Sequence, residues 1–339
     1  MRTVSVIVPF FQREGGILAR ALSSIASQDI PSGWFVEVII VDDSSPCGVE
    51  EELRELRFRE SLGLKIIRQE NGGPGMARNR GLDEADAAAK LIAFLDSDDR
   101  WPRQHLANAT VAYDRGCDFI FSDNRRELHH ESFIDVAARR TKTLLEHSAN
   151  DDGFVRLPEG EMPCLIINEF PAHLSTLVYA RALDPELRFS PNLRVCGEDK
   201  LFMVALAIKA KRVCFDATST VECGRGVNVF FSQIGWDSPS LMQIQRGQLE
   251  SHMLIDRVPG LSPKARFYNA KALADARDAF AFHCLRRTIK NRQIPAEARQ
   301  LAKIDEQFWR WFPSSLRRVT IGYWRGSYRP YRPQVTLPR

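Results

Sequence analysis

The sequence predicts an α/β fold: a mainly parallel sheet with helices on both faces, followed by a mostly helical C-terminal region. Three observations carry this. Strand and helix patterns alternate through residues 1–125, the order that builds parallel sheets through helical crossovers. Acidic or Gly-rich motifs follow the second, third and fourth strand-like runs, where such sheets bind ligands. From about Trp236 the strand signals fade, and helical spacing dominates from Ser240 to Phe308. The chain has 339 residues, which allows two domains. The expected division is an α/β domain over 1–235 and a helical region over 236–339.

The elements follow in order. Val4 to Pro9 is a short β-branched run, as a buried parallel strand requires. Ile17, Leu18, Ala21, Leu22 and Ile25 repeat at helical spacing up to Gln28, and Pro31 and Gly33 close that helix. Phe35–Val41 is the second strand, and an acidic helix runs from about Val49 to Arg59. Leu64–Ile67 is the third strand. The turn-rich stretch Asn71–Gly75 opens an Ala-rich helix that runs to about Ala89. Leu91–Leu95 is the fourth strand, Pro102 starts another helix, and Asp118–Phe121 is the fifth strand. Residues 126–162 are polar and read as a mobile insertion. Leu174–Tyr179 and Val213–Val221 read as strands flanking an apolar helix, Leu201–Lys209. No internal repeat or low-complexity tract is present.

Composition excludes several classes. Hydrophobic residues make up 44% and charged residues 27%, ordinary globular proportions. No run of apolar residues is long enough for a membrane span, and the N-terminus does not resemble a signal peptide. The seven Cys are odd in number and form no C-x-x-C. Cys117, Cys164 and Cys214 lie in apolar strand-like contexts and read as small core residues of a reduced, cytoplasmic, soluble protein. A net charge of +4 is too mild to call for nucleic acid. Its distribution is uneven: Trp309–Arg339 holds seven Arg and no Lys, Asp or Glu, which leaves −3 on the rest.

Four motifs carry chemistry. Asp96-Ser97-Asp98 is a D-x-D at a strand end, with Asp99 as a third acid. Two such carboxylates can hold Mg²⁺ or Mn²⁺ against phosphate oxygens. Capping of the next helix is the simpler alternative. Asp42-Asp43-Ser44-Ser45 is either a polar turn or a carboxylate site for a nucleobase N–H. In Asn71–Gly81 the glycines permit close backbone approach, the helix start offers N–H groups to an anion, and Arg78 adds a charge-assisted contact. The stretch is neither G-x-G-x-x-G nor a P-loop. Gly197-Glu198-Asp199 opens a helix, where acids suit the dipole. A carboxylate there can also act as a general base.

Together with Val4-Ser5-Val6-Ile7-Val8-Pro9-Phe10-Phe11, these motifs, in their order and spacing over about residues 1–225, resemble the family 2 inverting glycosyltransferases with a GT-A (Rossmann-like) fold. The resemblance implies a nucleotide-sugar donor, usually a UDP-sugar, and a divalent metal. It places Pro9 and Phe11 near the nucleotide and one of Asp42 or Asp43 on uracil. It sets Gly73 in the donor loop and Arg78 near the diphosphate. Asp96 would face the ribose or the metal shell, Asp98 would ligate the metal, and Asp199 would be the base. Processive members carry a later Q-x-x-R-W with membrane helices. Gln243-Ile244-Gln245-Arg246-Gly247 only loosely echoes it, which implies transfer of one sugar. The stretch Glu222–Asn228 with Trp236-Asp237 is similar to bacterial exopolysaccharide (succinoglycan-type) glucosyltransferases. That implies UDP-glucose and a polyprenyl-diphosphate-linked oligosaccharide acceptor.

Two other classes compete. A nucleotidyltransferase should show a Gly-rich loop with a basic residue directly after strand one, and Gly15-Gly16 with Arg13 match poorly. A non-catalytic sugar-binding protein would not need the full acid set. The basic aromatic tail, 309–339, suits an anionic membrane surface, and an alternative is that it wraps the acidic body. The expected placement is cytoplasmic, peripheral on the inner membrane face.

Overall fold

The structure is a computed structural model that describes residues 1–53, 62–126, 132, 153–224 and 235–328. The chain divides into two compact units. One is Met1–Arg194 with Glu198–Asn228, the other Val195–Gly197 with Val229–Arg339.

The first unit contains strands β1 (Arg2–Phe10), β2 (Trp34–Asp42), β3 (Leu62–Arg68), β4 (Leu91–Phe94), β5 (Phe119–Arg126), β6 (Phe154–Leu157), β7 (Leu177–Ala180) and β8 (Val213–Cys223). Its helices are α1 (Ile17–Ala26), α2 (Val49–Leu53), α3 (Pro74–Glu84), α4 (His105–Asp114), α5 (Glu161–Asn168) and α6 (Glu198–Lys209). The strands form one sheet in the order β3-β2-β1-β4-β7-β5-β8-β6. β3, β2, β1 and β4 run parallel. β7 lies antiparallel between β4 and β5.

The alternation along β1 explains its two faces. Val4, Val6, Val8 and Phe10 pack with Leu18 and Leu22 of α1 and Leu106 of α4. Ile7 points the other way, toward α3. There Gly81 permits the close approach: a Cβ at that position would overlap Ile7 Cγ2 and lie 3.1 Å from Cγ1. Gly81→Ala should therefore destabilise by about 1–3 kcal/mol through overpacking, despite alanine's better helix propensity. A drop in the denaturant midpoint that is smaller when Gly81→Ala is made in an Ile7→Ala background, which lacks both Cγ atoms, would verify this.

Several expectations are corrected. Cys117 and Cys214 are buried as expected, but they are bonded to each other, not free. The start of β5 lies beside β8, which brings their Cα atoms to 6.1 Å, within bridging range. Leu174–Thr176, expected as strand, is a 3₁₀ turn that precedes β7. The expected insertion 126–162 contains β6 and the start of α5; residues 127–131 and 133–152 lie outside the described residues. So do residues 54–59 of the expected acidic helix and 225–228 of the stretch after Glu222.

The second unit contains α7 (Ser240–Asp256), α8 (Pro263–Asn291), α9 (Ala296–Ile304) and α10 (Phe308–Trp324). Ser262 caps α8 by accepting from the Ala265 N–H, with Pro263 in the first turn. Gln243–Gly247 lies within α7. Met242, Leu249, Phe280, Cys284, Leu301, Phe308 and Trp311 form the core. The expected tail therefore begins as a helix. Phe308, Trp311, Ser315 and Val319 recur every three or four residues and are buried. Arg318 pairs with Asp278 of α8 at 2.7 Å. Residues 329–339 lie outside the described residues. No helix among those described is long and apolar enough to cross a membrane.

Candidate active site

Parallel pairing brings the carboxyl ends of β1 to β4 to one edge. Phe10 lies opposite Asp42, and Asp42 opposite Arg68. The loops beyond are stitched together by small polar groups. The Gln12 N–H donates to Ser45 Oγ at 2.8 Å, and Gln12 Nε2 donates to Ser97 Oγ at 2.8 Å. Pro9 and Phe11 flank this stitch, both half-buried.

Asp42 and Asp43 separate in role. Asp42 Oδ1 accepts from the Ser45 N–H at 2.7 Å, and Arg68 Nε lies 3.6 Å from Oδ2. Burial pushes the Asp42 carboxyl above the usual range, partly offset by the Ser45 N–H and Arg68. The Asp43 carboxylate faces the Gly-rich loop instead. Oδ1 accepts from Gln69 Nε2 and the Gly72 N–H, and Oδ2 accepts from the Gly73 N–H, each at 2.8 Å. Asn71 Nδ2 donates to the Asp43 carbonyl at 2.9 Å. Gly73 holds φ 89°, which favours glycine, and directly precedes α3. Arg194 closes the other side by donating to Asn71 Oδ1 at 2.7 Å. Asp43→Ala would leave the half-buried Gly72 and Gly73 N–H groups without their carboxylate acceptor, at a cost of about 1 kcal/mol each. It should loosen this loop, raise the donor KM more than it lowers kcat, and reduce thermal stability. Steady-state kinetics beside a melting curve checks both.

Arg78 is the hub. It projects from α3 with its side chain 5% exposed. Nη2 donates to Asp96 Oδ1 at 2.6 Å, and Nη1 to Glu198 Oε1 at 3.3 Å. The Phe189 ring lies 5.5 Å from the guanidinium carbon. Nε has no partner among the described residues. Burial works against the Arg78 charge, but Asp96 and then Glu198 more than offset it and hold its pKa above the ordinary value. Burial likewise opposes ionised Asp96, yet Arg78 and then His173 keep that carboxyl below its usual range. Glu198 is different. Burial, with the Asp199 charge beside it, pushes it up to about 7 against the pull of Arg78. Asp96 is thus the tighter partner, consistent with the shorter bond.

The acid triplet follows β4. The Asp96 N–H donates to Ser175 Oγ at 3.0 Å. Asp99 Oδ1 accepts from the Gly224 N–H at 2.8 Å. A Cβ on Gly224 would overlap the Asp98 carbonyl and lie 2.8 Å from Asp98 Oδ2, so only glycine lets this backbone lie against the triplet. Burial, with Asp96 and Asp98 adding, pushes Asp99 up to about 7 although His173 opposes this.

His173 carries no motif in the sequence. Its Nδ1 lies 3.5 Å from Asp99 Oδ2 and its Nε2 3.9 Å from Asp96 Oδ2. Asp99, His173 and Cys223 bring ligand-type atoms within 4.8 Å of one another. The only local signal was a histidine just before an apolar strand. Its importance depends on β7 entering the sheet beside β4, which no local pattern reveals.

Asp199 sits half-buried in the first turn of α6, its Oδ1 accepting from the Lys200 N–H at 2.6 Å. Sequence spacing cannot place it at the rim, but the ion pair of its neighbour Glu198 with Arg78 does. Asp96, Arg78, Glu198 and Asp199 form a continuous run. The structure gathers Asp42, Asp43, Gly73, Arg78, Asp96, Asp98 and Asp199 around one sheet edge. Arg78 is committed to two carboxylates there.

Open α/β sheets bind ligands at a carboxyl edge of this kind, and comparison with known proteins identifies the family. Residues 5–152 match the profile of glycosyl transferase family 2. The chain is 32% identical over 310 residues to the succinoglycan biosynthesis protein ExoW of Rhizobium meliloti (strain 1021), covering 90% of this chain and 92% of that protein. Among solved structures it is similar to S. aureus TarS 1-349 in complex with UDP, with TM-score 0.61, 20% identity, and 97% of this chain and 93% of that chain covered. It is also similar to the mannosyltransferase PcManGT from Pyrobaculum calidifontis in complex with GDP-Man and Mn²⁺, with TM-score 0.54, 18% identity, and coverages of 96% and 88%. The chain belongs to glycosyl transferase family 2. It is a glycosyltransferase with a GT-A fold and a helical C-terminal region, which sets aside the nucleotidyltransferase and non-catalytic alternatives.

Proposed function

We propose that this enzyme is a metal-dependent inverting glycosyltransferase of bacterial exopolysaccharide assembly. It moves one sugar, glucose, from a UDP-sugar to a hydroxyl of a glycan or a polyprenyl-diphosphate-linked oligosaccharide. The observation that carries the reading is that Arg78 pairs with both Asp96 of the acid triplet and Glu198, the sequence neighbour of Asp199, the residue we assign as the base. The succinoglycan role of the Rhizobium relative supports the pathway, and the UDP complex of TarS supports the nucleotide. The GDP-Man and Mn²⁺ of PcManGT support a nucleotide-sugar with a divalent ion.

The residues fit a divalent cation. Asp96, Asp98 and Asp99 offer hard oxygen ligands, and Asp99 Oδ2 is a buried acceptor with no hydrogen-bond partner among the described residues. Asp98, with Asp96, would hold Mn²⁺ or Mg²⁺. The ion would supply positive charge to the departing diphosphate.

The chain's own groups do the rest. Pro9, Phe11 and Asp42 border the nucleotide, and Asp43 holds the Gly73 loop in shape. Arg78 fixes Asp96 toward the donor and Glu198 toward the base. Asp199 takes the proton from the acceptor hydroxyl as that oxygen attacks the anomeric carbon opposite the diphosphate. The C–O bond to the diphosphate breaks with its electron pair leaving on UDP, so an α-linked donor gives a β-glycoside. The deciding experiment is calorimetry with UDP-, GDP- and dTDP-sugars in Mn²⁺, followed by UDP release with an acceptor. Binding of UDP-glucose above the others is expected, and binding of none would end the proposal. Contact of 309–339 with an anionic inner-membrane face belongs to the same reading, since a lipid-linked acceptor lies there.

A further inference from the structure

The second unit ends in a helix with two unlike faces. The inner face of α10, Phe308, Trp311, Ser315 and Val319, joins the core of its unit. Trp311 is fixed there by donating from Nε1 to Asp305 Oδ2 at 2.6 Å. The outer face carries side chains that water serves poorly: Trp309 is 72% exposed, Trp324 86% and Ile321 40%. Between them lie the exposed Arg310, Arg317 and Arg325. At 100° per residue, Arg310, Arg317, Ile321 and Trp324 fall on one stripe opposite the buried one, with Trp309 and Arg325 at its margins. Arg318 is paired with Asp278. Arg310, Arg317 and Arg325 have no acidic partner among the described residues.

We propose that this outer face of α10, rather than the chain end beyond it, is a docking surface for an anionic lipid bilayer. Three arguments choose that occupant. Indole rings settle at the depth of the headgroups, where one end is apolar and the other wet. Arginines in the same stripe meet lipid phosphates. No acidic residue occurs from Gln307 to the C-terminus, so a second copy docking face to face would set arginine against arginine. Nucleic acid would satisfy the arginines but leave Ile321 and the outward tryptophans without an apolar medium. A helix with Trp on the outside and Arg between is the pattern of an interfacial anchor lying in the membrane plane. The proposal deepens the reading that the acceptor is lipid-linked: docking confines the enzyme to the surface that carries it.

The test is co-sedimentation of the full chain with phosphatidylglycerol–phosphatidylcholine vesicles and with pure phosphatidylcholine vesicles. UDP-glucose binding with Mn²⁺ is measured on the same preparations. The expected result is binding to the anionic vesicles only, weakening as salt rises from 0.1 to 0.5 M because surface charges are screened. Arg310→Gln with Arg317→Gln should lower partitioning more than about tenfold, since each arginine contributes about fivefold near an anionic surface. Trp309→Ser with Trp324→Ser should lower it similarly at unchanged charge. Removal of 329–339, which takes away Arg329, Arg332 and Arg339, should lower partitioning less than the loss of the two α10 arginines does. UDP-glucose binding should not change in any of these variants. Wild-type failure to bind anionic vesicles would overturn the docking surface. So would tryptophan variants that bind like wild type, or a truncation that abolishes binding. Duplex DNA binding that survives the tryptophan changes, with no vesicle binding, would assign the face to nucleic acid. Loss of UDP-glucose binding in the wild type with vesicle binding intact would instead sink the donor assignment alone.

Discussion

Asp199→Asn is expected to lower kcat for sugar transfer by about a hundredfold or more, the low end for removal of a general base. Donor affinity should stay within a few-fold. The substitution is nearly isosteric, and the asparagine carbonyl can still accept the Lys200 N–H bond that Oδ1 now holds at 2.6 Å. Geometry is thus kept and basicity removed. The obvious rival is Glu198, whose carboxyl is pushed up to about 7 by burial and by the Asp199 charge, a value suited to a base near neutral pH. Its Oε1 is committed to Arg78 at 3.3 Å, however, and the side chain is only 10% exposed. Single-turnover rates of Asp199→Asn and Glu198→Gln, each with donor affinity measured separately, decide between them. A nearly active Asp199→Asn beside a dead Glu198→Gln would move the base by one residue.

That comparison shows where sequence information ended. The alternating strands β1 to β4 were legible because each is a short, largely apolar run bounded by turn residues, and parallel topology then puts Asp42, Gly73 and Asp96 at one edge without further knowledge. Position 199 is not reachable that way. It depends on Arg78 of α3 being turned inward to meet acids 18 and 120 positions away. His173 was invisible for a related reason: β7 pairs antiparallel with both β4 and β5, an insertion against chain order. The bond between Cys117 and Cys214 likewise needed the β5–β8 neighbourhood. The helix α10 was different. Its buried positions 308, 311, 315 and 319 carry the helical period in plain sequence, overlaid by a high density of Arg and aromatic residues on the remaining positions. In the motif Asp42-Asp43, two adjacent acids looked equivalent. Only the loop that folds onto Asp43 separates them.

Arg78→Met should be the most destabilising single change in the first unit, by about 3 kcal/mol, because it removes the one cation between buried Glu198 and half-buried Asp96. Packing alone does not predict this, since methionine fills much of the same volume beside Phe189. The cost is Asp96 and Glu198 facing each other without a counter-charge. Its pH dependence follows from the signs of the shifts. In the wild type the folded Asp96 carboxyl lies below its unfolded value of 3.8. Its pairing therefore contributes stability that is present above that value and is lost as pH falls through the folded one. In the variant the same carboxyl is raised instead, as Glu198 already is, so stability falls as pH rises. The gap between the two proteins should be widest near pH 7–8 and narrow as pH falls, first as the variant's raised carboxyls take up protons and last as wild-type Asp96 protonates at its depressed folded value below 3.8. Urea denaturation at pH 4, 5.5 and 7.5 measures it. Arg78→Lys should recover only part, since an ammonium cannot make both bonds of the guanidinium fork. Adding Asp96→Asn and Glu198→Gln to Arg78→Met should restore stability by removing the stranded charges but not restore sugar transfer. If the triple variant regained activity, Arg78 would be a structural counter-ion only. If Arg78→Met alone were as stable as wild type at pH 7.5, the buried acids would not depend on it, and the run from Asp96 to Asp199 would lose its physical basis.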